Sequence, residues 1–180
     1  DLWSRWQSEA PEEILLAHAS IHGNTARAAE LLKQKLEAKG ARVTLCDLTT
    51  TEVSYAVANA FYCGKLVLAC STYDGGLFPP MEEFLSHLQA KGFRDRSVGL
   101  MENGSWAPTA AGLMRAEFQK LKNCTILDET VTIKSTLKES QLVDVDAMAQ
   151  AIYDSMPKPA PAVHTADAPV RQNALFSLFY

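Results

Sequence analysis

The sequence contains no apolar run approaching the length of a membrane span, and no charged start followed by an apolar core of the secretory kind. It also lacks a basic cluster. Its 17 Lys and Arg residues are scattered among 21 Asp and Glu, and the net charge of −4 offers no broad basic field, which excludes nucleic acid as an expected partner. Cysteine is sparse: Cys46, Cys63, Cys70 and Cys124 match neither a C-x-x-C redox pair nor a zinc-ligand spacing. Free thiols are therefore expected, with Cys46 and Cys70 acting as small buried hydrophobes, in a reducing, cytosolic setting. His18, His22, His87 and His164 form no close ligand group, so no metal site is expected. What is present is 180 residues at 47% hydrophobic and 21% charged, the composition of one globular domain with some excess chain. The first residue is Asp1 rather than Met, which reads as an excised or processed segment.

From Glu12 onward, short apolar runs alternate with helical patterns, the signature of a parallel sheet covered on both faces. Strands are expected at 14–18, 42–46, 65–70, 97–101 and 125–127, the last continuing toward 133. Helices are expected at 25–39, from 79 to about 91, at 108–122 and at about 142–156. In the first helix Ala28, Leu31, Leu32 and Leu36 share one face, with Glu30, Lys33, Lys35 and Lys39 largely outside it. Gly40 and Lys91-Gly92 each end a helix before a strand. Pro79-Pro80-Met81-Glu82-Glu83 is a helix start, so Glu82 and Glu83 read as first-turn carboxylates rather than an acid–base pair.

The domain is expected to occupy 12–156. Residues 157–169, rich in Pro and Ala, read as an extended linker, and 173–180 form an apolar octet, so 157–180 is expected to be linker and the start of a downstream domain. Leu2, Trp3 and Trp6 stand at near-helical spacing, so 1–11 reads as a segment of an upstream domain or linker. Packing of both ends onto this domain is the competing reading.

Three loops carry the candidate chemistry. Ser20-Ile21-His22-Gly23-Asn24-Thr25 joins the first strand to an amphipathic helix, and offers backbone N–H groups, two hydroxyls and a positive helix terminus to one anion. The alternative is an ordinary helix start capped by Asn24 or Thr25. After the third strand comes Ser71-Thr72-Tyr73-Asp74-Gly75-Gly76-Leu77-Phe78-Pro79, and after the fourth Glu102-Asn103-Gly104-Ser105-Trp106-Ala107-Pro108. Each sets an aromatic beside glycine, which suits a flat heteroaromatic ring. Turn chemistry alone also accounts for Asp74-Gly75-Gly76, and a core position would account for Trp106. In an open parallel sheet, loops after the first, third and fourth strands converge where the strand order reverses.

With these loops the chain resembles the flavodoxin-like FMN domains, and among them the C-terminal domain of flavodiiron proteins, also called A-type flavoproteins. The resemblance covers 12–156 and is most specific at Ser71 to Pro80. It departs from the family where the third loop reaches Pro108 instead of continuing through further glycines. The resemblance implies an α/β, three-layer, flavodoxin-like sandwich with a five-stranded parallel sheet in the order 2-1-3-4-5; flavodoxin, with FMN at the reversal point, is an instance of the crevice rule. It implies FMN binding, with phosphate held by Ser20, His22, Gly23, Asn24 and Thr25 in the loop that includes Ile21. Thr72, Tyr73, Asp74, Gly75 and Gly76 would flank one side of the ring, and Glu102, Asn103, Gly104, Ser105 and Trp106 the other. It further implies a cytoplasmic electron carrier with no catalytic residue of its own, following a diiron domain of metallo-β-lactamase fold that reduces dioxygen or nitric oxide. The donor would be rubredoxin or a fused flavin reductase domain, whose opening the 173–180 octet resembles, and the full-length protein would be a homodimer. A stand-alone flavodoxin or FMN-dependent quinone reductase is the nearest alternative. A non-enzymatic doubly wound module would need an acidic cluster where Ser20 and Ser71 stand.

Overall fold

A computed structural model describes residues 12–155, and the expectations for 1–11 and 157–180 lie outside them. Strands β1 (Glu13–Ala19), β2 (Arg42–Asp47), β3 (Lys65–Tyr73), β5 (Ser97–Asn103) and β6 (Thr125–Ile133) pair in parallel in the order β2-β1-β3-β5-β6. The short β4 (Gly76–Leu77) runs antiparallel to the end of β3. The helices are α1 (Asn24–Ala38), α2 (Val53–Tyr62), α3 (Pro79–Ala90), α4 (Ala110–Gln119) and α5 (Leu142–Asp154). The five parallel strands stand in the expected 2-1-3-4-5 order, and β4 is an addition to it.

The pleat explains the two cores. In central β1, Leu15, Ala17 and Ala19 face α2, α3 and α4, while Ile14 and Leu16 face α1 and α5. Val67 and Ala69 of β3 join the second group, and Leu66, Leu68 and Cys70 the first. Phe93 meets Phe61 edge-on at 5.4 Å and Phe118 at 6.3 Å; each such pair contributes about 0.5–1.5 kcal/mol beyond area burial. Gly99, in mid-strand, admits α5: a Cβ there would lie 3.3 Å from Ile152 Cδ1. Burial pushes the Cys70 thiol up to about 12 and raises that of Cys46, so both are inert; all four cysteines are free.

Helix α2 is absent from the four expected helices. Its sequence, VSYAVANAFY, has only Ser54 and Asn59 among its small polar residues, so no polar stripe marks a helical period. Tertiary contacts hold it: Ala56, Val57, Ala60 and Phe61 are buried against the sheet. The buried Arg96 guanidinium donates from Nε to Cys63 O (2.8 Å) and from Nη2 to Phe61 O (3.1 Å), a cation at the negative end of that helix.

His18, 4% exposed near the end of β1, has no hydrogen-bond partner for Nδ1. Asp47 Oδ1 lies 3.9 Å away, beyond hydrogen-bond range, and instead accepts from Thr49 N and Thr49 Oγ1. Burial lowers the imidazole below its ordinary value of 6.5, against a smaller opposing pull from Asp47 and Glu30. The unfolded chain therefore takes up a proton that the native state refuses. Stability is held above about pH 6.5 and falls as pH drops through the window between that value and the lowered native one. A Tm series between about pH 7 and pH 5 is expected to slope downward toward acid, and the slope to flatten in His18→Phe, which cannot titrate; an equal slope in both proteins would assign the acid sensitivity elsewhere.

Candidate functional site

Helix α1 begins at Asn24, and no side chain caps it. Gly23 is the N-cap, at φ 84, a conformation that costs other residues about 1–2 kcal/mol. Asn24 and Thr25 thus stand inside the helix rather than capping it. The first-turn N–H groups, which have no partner within a helix, are left for a ligand. Ser20 Oγ accepts from Gly23 N (3.0 Å), which curls the loop back on itself. Thr25 is buried, with its hydroxyl 2.9 Å from Ser71 Oγ, and Ile21 N also donates to Ser71 Oγ at 3.4 Å. Ser71 therefore pins the first loop to the end of β3.

Strand β3 continues through Ser71, Thr72 and Tyr73, three residues beyond its expected end. Asp74 (φ 48) and Gly75 (φ 73) then make a two-residue turn into β4, with Thr72 opposite Leu77 and Tyr73 opposite Gly76. The turn reading of Asp74-Gly75-Gly76 describes this geometry. Tyr73 is 47% exposed, its ring 5.9 Å from that of Phe78. Thr109 binds this hairpin to the next loop: its N–H donates to Thr72 Oγ1 (3.1 Å) and its hydroxyl to Gly75 O (3.0 Å).

Strand β5 likewise extends through Glu102 and Asn103, both buried. Glu102 Oε2 accepts from Ala111 N (2.8 Å) at the start of α4, and Oε1 from Thr132 Oγ1 (2.8 Å) on β6. The carboxylate is a helix anchor within the fold. Asn103 holds Ser135, donating from Nδ2 to Ser135 O (2.9 Å) and accepting Ser135 N on Oδ1 (3.0 Å). Gly104 admits the following turn closely; a Cβ there would lie 2.8 Å from Pro108 Cα. Trp106 is no core residue: it is 96% exposed.

A cleft of about 300 Å³ opens between these loops. It brings together Ser20, Ile21, His22, Asn24 and Thr25 with Ser71 and Thr72, and with Asn103, Gly104 and Ser105; Ser135 completes it from a fourth loop. Gly23, Asp74, Gly75, Glu102 and Trp106 do not line it, and Tyr73 and Gly76 line a neighbouring groove of about 600 Å³ with α3 and α4. Ser71 and Ser135 are cleft residues that the sequence reading did not select. Ser71 heads the second candidate loop, directly ahead of Thr72, but is given no cofactor role there; Ser135 follows the fifth parallel strand, outside the three loops expected to converge. Among the described residues no Lys or Arg lines the cleft. Its donors are hydroxyls, amides, an exposed imidazole and an uncapped helix start, a set suited to a phosphate monoester held without ion pairing. Exposed Trp106 and half-exposed Tyr73, each carried by a loop beside it, can shield a flat ring. The residues present fit FMN. Among the described residues no group of three or more His, Cys, Asp or Glu could hold a metal ion, and no helix is long and apolar enough to cross a membrane.

A parallel sheet in this order, covered by α1 and α5 on one face and three helices on the other, with a cleft at its carboxyl edge, is the flavodoxin-like fold. No family model matches the chain. It is 24% identical over 158 residues to the "Putative diflavin flavoprotein A 2" of Thermosynechococcus vestitus, covering 87% of this chain and 27% of that protein. Among solved structures, it is similar to rubredoxin oxygen:oxidoreductase from Desulfovibrio gigas, with a TM-score of 0.78 at 14% identity over 83% of this chain and 37% of that one. The flavodiiron protein from Giardia intestinalis gives 0.73 at 16%, covering 83% and 38%, and a flavodoxin from the domain Archaea gives 0.68 at 17%, covering 79% and 96%. The chain thus spans about a quarter of the curated relative and under two fifths of these two larger structures.

Glu102→Ala leaves the Ala111 N–H and the Thr132 hydroxyl without their buried acceptor. A loss of about 1–3 kcal/mol is expected in denaturant unfolding, with a smaller loss for Glu102→Gln, which keeps an acceptor oxygen. Equal stability of Glu102→Ala and the parent would show that the anchor is dispensable.

Proposed function

We propose that this chain is an FMN-binding electron-transfer domain of a larger flavodiiron-type oxidoreductase. The observation that carries the reading is the uncapped start of α1, opening onto an uncharged cleft of hydroxyls and amides where the strand order reverses between β1 and β3. FMN, when bound, supplies one- and two-electron transfer that side chains cannot. In this reading the first-turn backbone donors at Asn24 and Thr25 face the phosphate beyond the turn that Gly23 makes, and the side chains of Ser20, His22 and Asn24 add donors at its edge. Thr72, Asn103, Gly104 and Ser105 border the middle of the cofactor. Tyr73, on the hairpin turned by Asp74, Gly75 and Gly76, and Trp106 wall the ring from water. Glu102 supports the second wall by anchoring α4 rather than by touching the cofactor.

The chain itself would be a carrier in the cytoplasm. Its acceptor would be a diiron centre in an upstream metallo-β-lactamase-like domain, its donor rubredoxin or a fused flavin reductase domain, and the assembled protein a homodimer. The likeness to the Desulfovibrio gigas and Giardia intestinalis proteins supports this over a stand-alone flavodoxin, although the archaeal flavodoxin is matched over 96% of its length. The size and metal content of the full-length gene product separate the two.

The direct test is the visible spectrum of the purified chain after FMN is added and the excess removed. Retention at about one FMN per chain is expected. His22→Ala with Asn24→Ala, both at cleft positions outside the buried Thr25–Ser71 contact, is expected to weaken FMN by tenfold or more, since hydrogen bonds to charged groups contribute about 1.5–3 kcal/mol each. Folded protein that retains no flavin would sink the FMN assignment.

A further inference from the structure

Four non-glycine residues have positive φ among the described residues: Asp74, Asp95, Asn123 and Ser135. Three are of the Asp and Asn type that takes this conformation readily; Ser135, at φ 68, is not. Such a residue persists where its surroundings over-determine it, and here they do. The side chain of Asn103, itself buried, is engaged at both ends by the backbone of Ser135. The neighbouring Gly104 N donates to Ile133 O at 3.0 Å, fixing the end of β6 from which Ser135 departs.

The result of this bracing is the placement of one hydroxyl. Ser135 and Ser105 both line the cleft, and Ser135 Oγ donates to Ser105 Oγ at 3.3 Å, so hydroxyls from two different loops stand side by side. A serine hydroxyl has one donor and two acceptor positions, so a single long contact leaves the pair able both to donate to and accept from a ligand. That dual capacity suits an alcohol better than an anion, which can only accept. Position agrees with the chemistry. Three strand spacings, about 14 Å, separate the end of β6 from the end of β1, where α1 offers its first-turn donors. A phosphate seated on α1 leaves the serine pair facing the uncharged, hydroxylated part of the same ligand.

We propose that Ser135, paired with Ser105, is a further cofactor-binding residue, which recognises hydroxyls of the sugar-alcohol chain of a flavin nucleotide. The assignment rests on the FMN reading and adds a fourth loop to its site. Its test is flavin titration of Ser135→Gly and Ser135→Ala, together with the Tm of each apoprotein. Glycine takes φ 68 without strain, so S135G is expected to keep or raise the apoprotein Tm. A purely structural role then predicts equal or better binding. Instead, FMN affinity is expected to fall about tenfold in both variants, with riboflavin falling by the same factor and lumiflavin, which lacks the chain, unchanged. Unchanged FMN affinity in the folded variants overturns the assignment. So does a loss for FMN that riboflavin does not share, which would place the contact at the phosphate, or an equal loss for lumiflavin, which would make it one of loop shape. Parent protein that binds no flavin overturns the FMN reading itself, and this assignment with it.

Discussion

The carboxyl edge of the sheet depends on the direct parallel pairing of β1 with β3. Ile14 to Ala19 register against Lys65 to Cys70 without interruption, so β1 ends beside Cys70, just before Ser71. From there the chain leaves in opposite directions, from β1 into α1 on one face and from β3 toward α3 on the other. Among the described residues no element crosses the gap between them, and a crevice follows from the topology. Hydrophobic burial on both faces locks that pairing: a one-residue slip would turn Leu16 and Leu15 to the wrong layers and mismatch both cores.

Small neutral hydrogen bonds convert the crevice into a site of defined shape. Thr25 with Ser71, Thr109 with Thr72 and Gly75, and Asn103 with Ser135 each join loops from different strands. None involves a formal charge, and among the described residues no Lys or Arg lines the cleft; its positive character comes from the start of α1. A buried polar network of this kind is stable only when its members are satisfied. Among the described residues His18, just before the first loop, is the exception: its buried Nδ1 has no partner, and burial lowers its pKa.

Much of this was legible in the sequence because it depends on period and punctuation. The apolar runs of β1 and β3 are too short and continuous for exposed elements, and Gly40, Lys91-Gly92 and Pro79-Pro80 mark helix limits locally. Where the local signal is weak, the reading failed. VSYAVANAFY is apolar nearly all round and becomes α2 only because the sheet offers it a surface. The pair Gly76–Leu77 is too short to read as a strand, and becomes β4 because Asp74 and Gly75 fold it back on β3. β3 and β5 run three and two residues past their expected ends, to Tyr73 and Asn103, since pairing continues into polar residues when a neighbouring strand is there to receive them.

The sequence by itself determined the alternation of strands and helices, the covered parallel sheet and the three glycine-bearing loops, because hydrophobic period and turn chemistry act over a few residues. Only the tertiary structure decided which side chains face the cleft. Whether Glu102 points to a ligand or to Ala111, whether Trp106 is buried or open, and whether Ser135 stands beside Ser105 all depend on residues dozens of positions away or on the packing of neighbouring elements. Those orientations are set by which hydrogen-bond donors the assembled sheet brings within 3 Å, a distance that chain order does not encode.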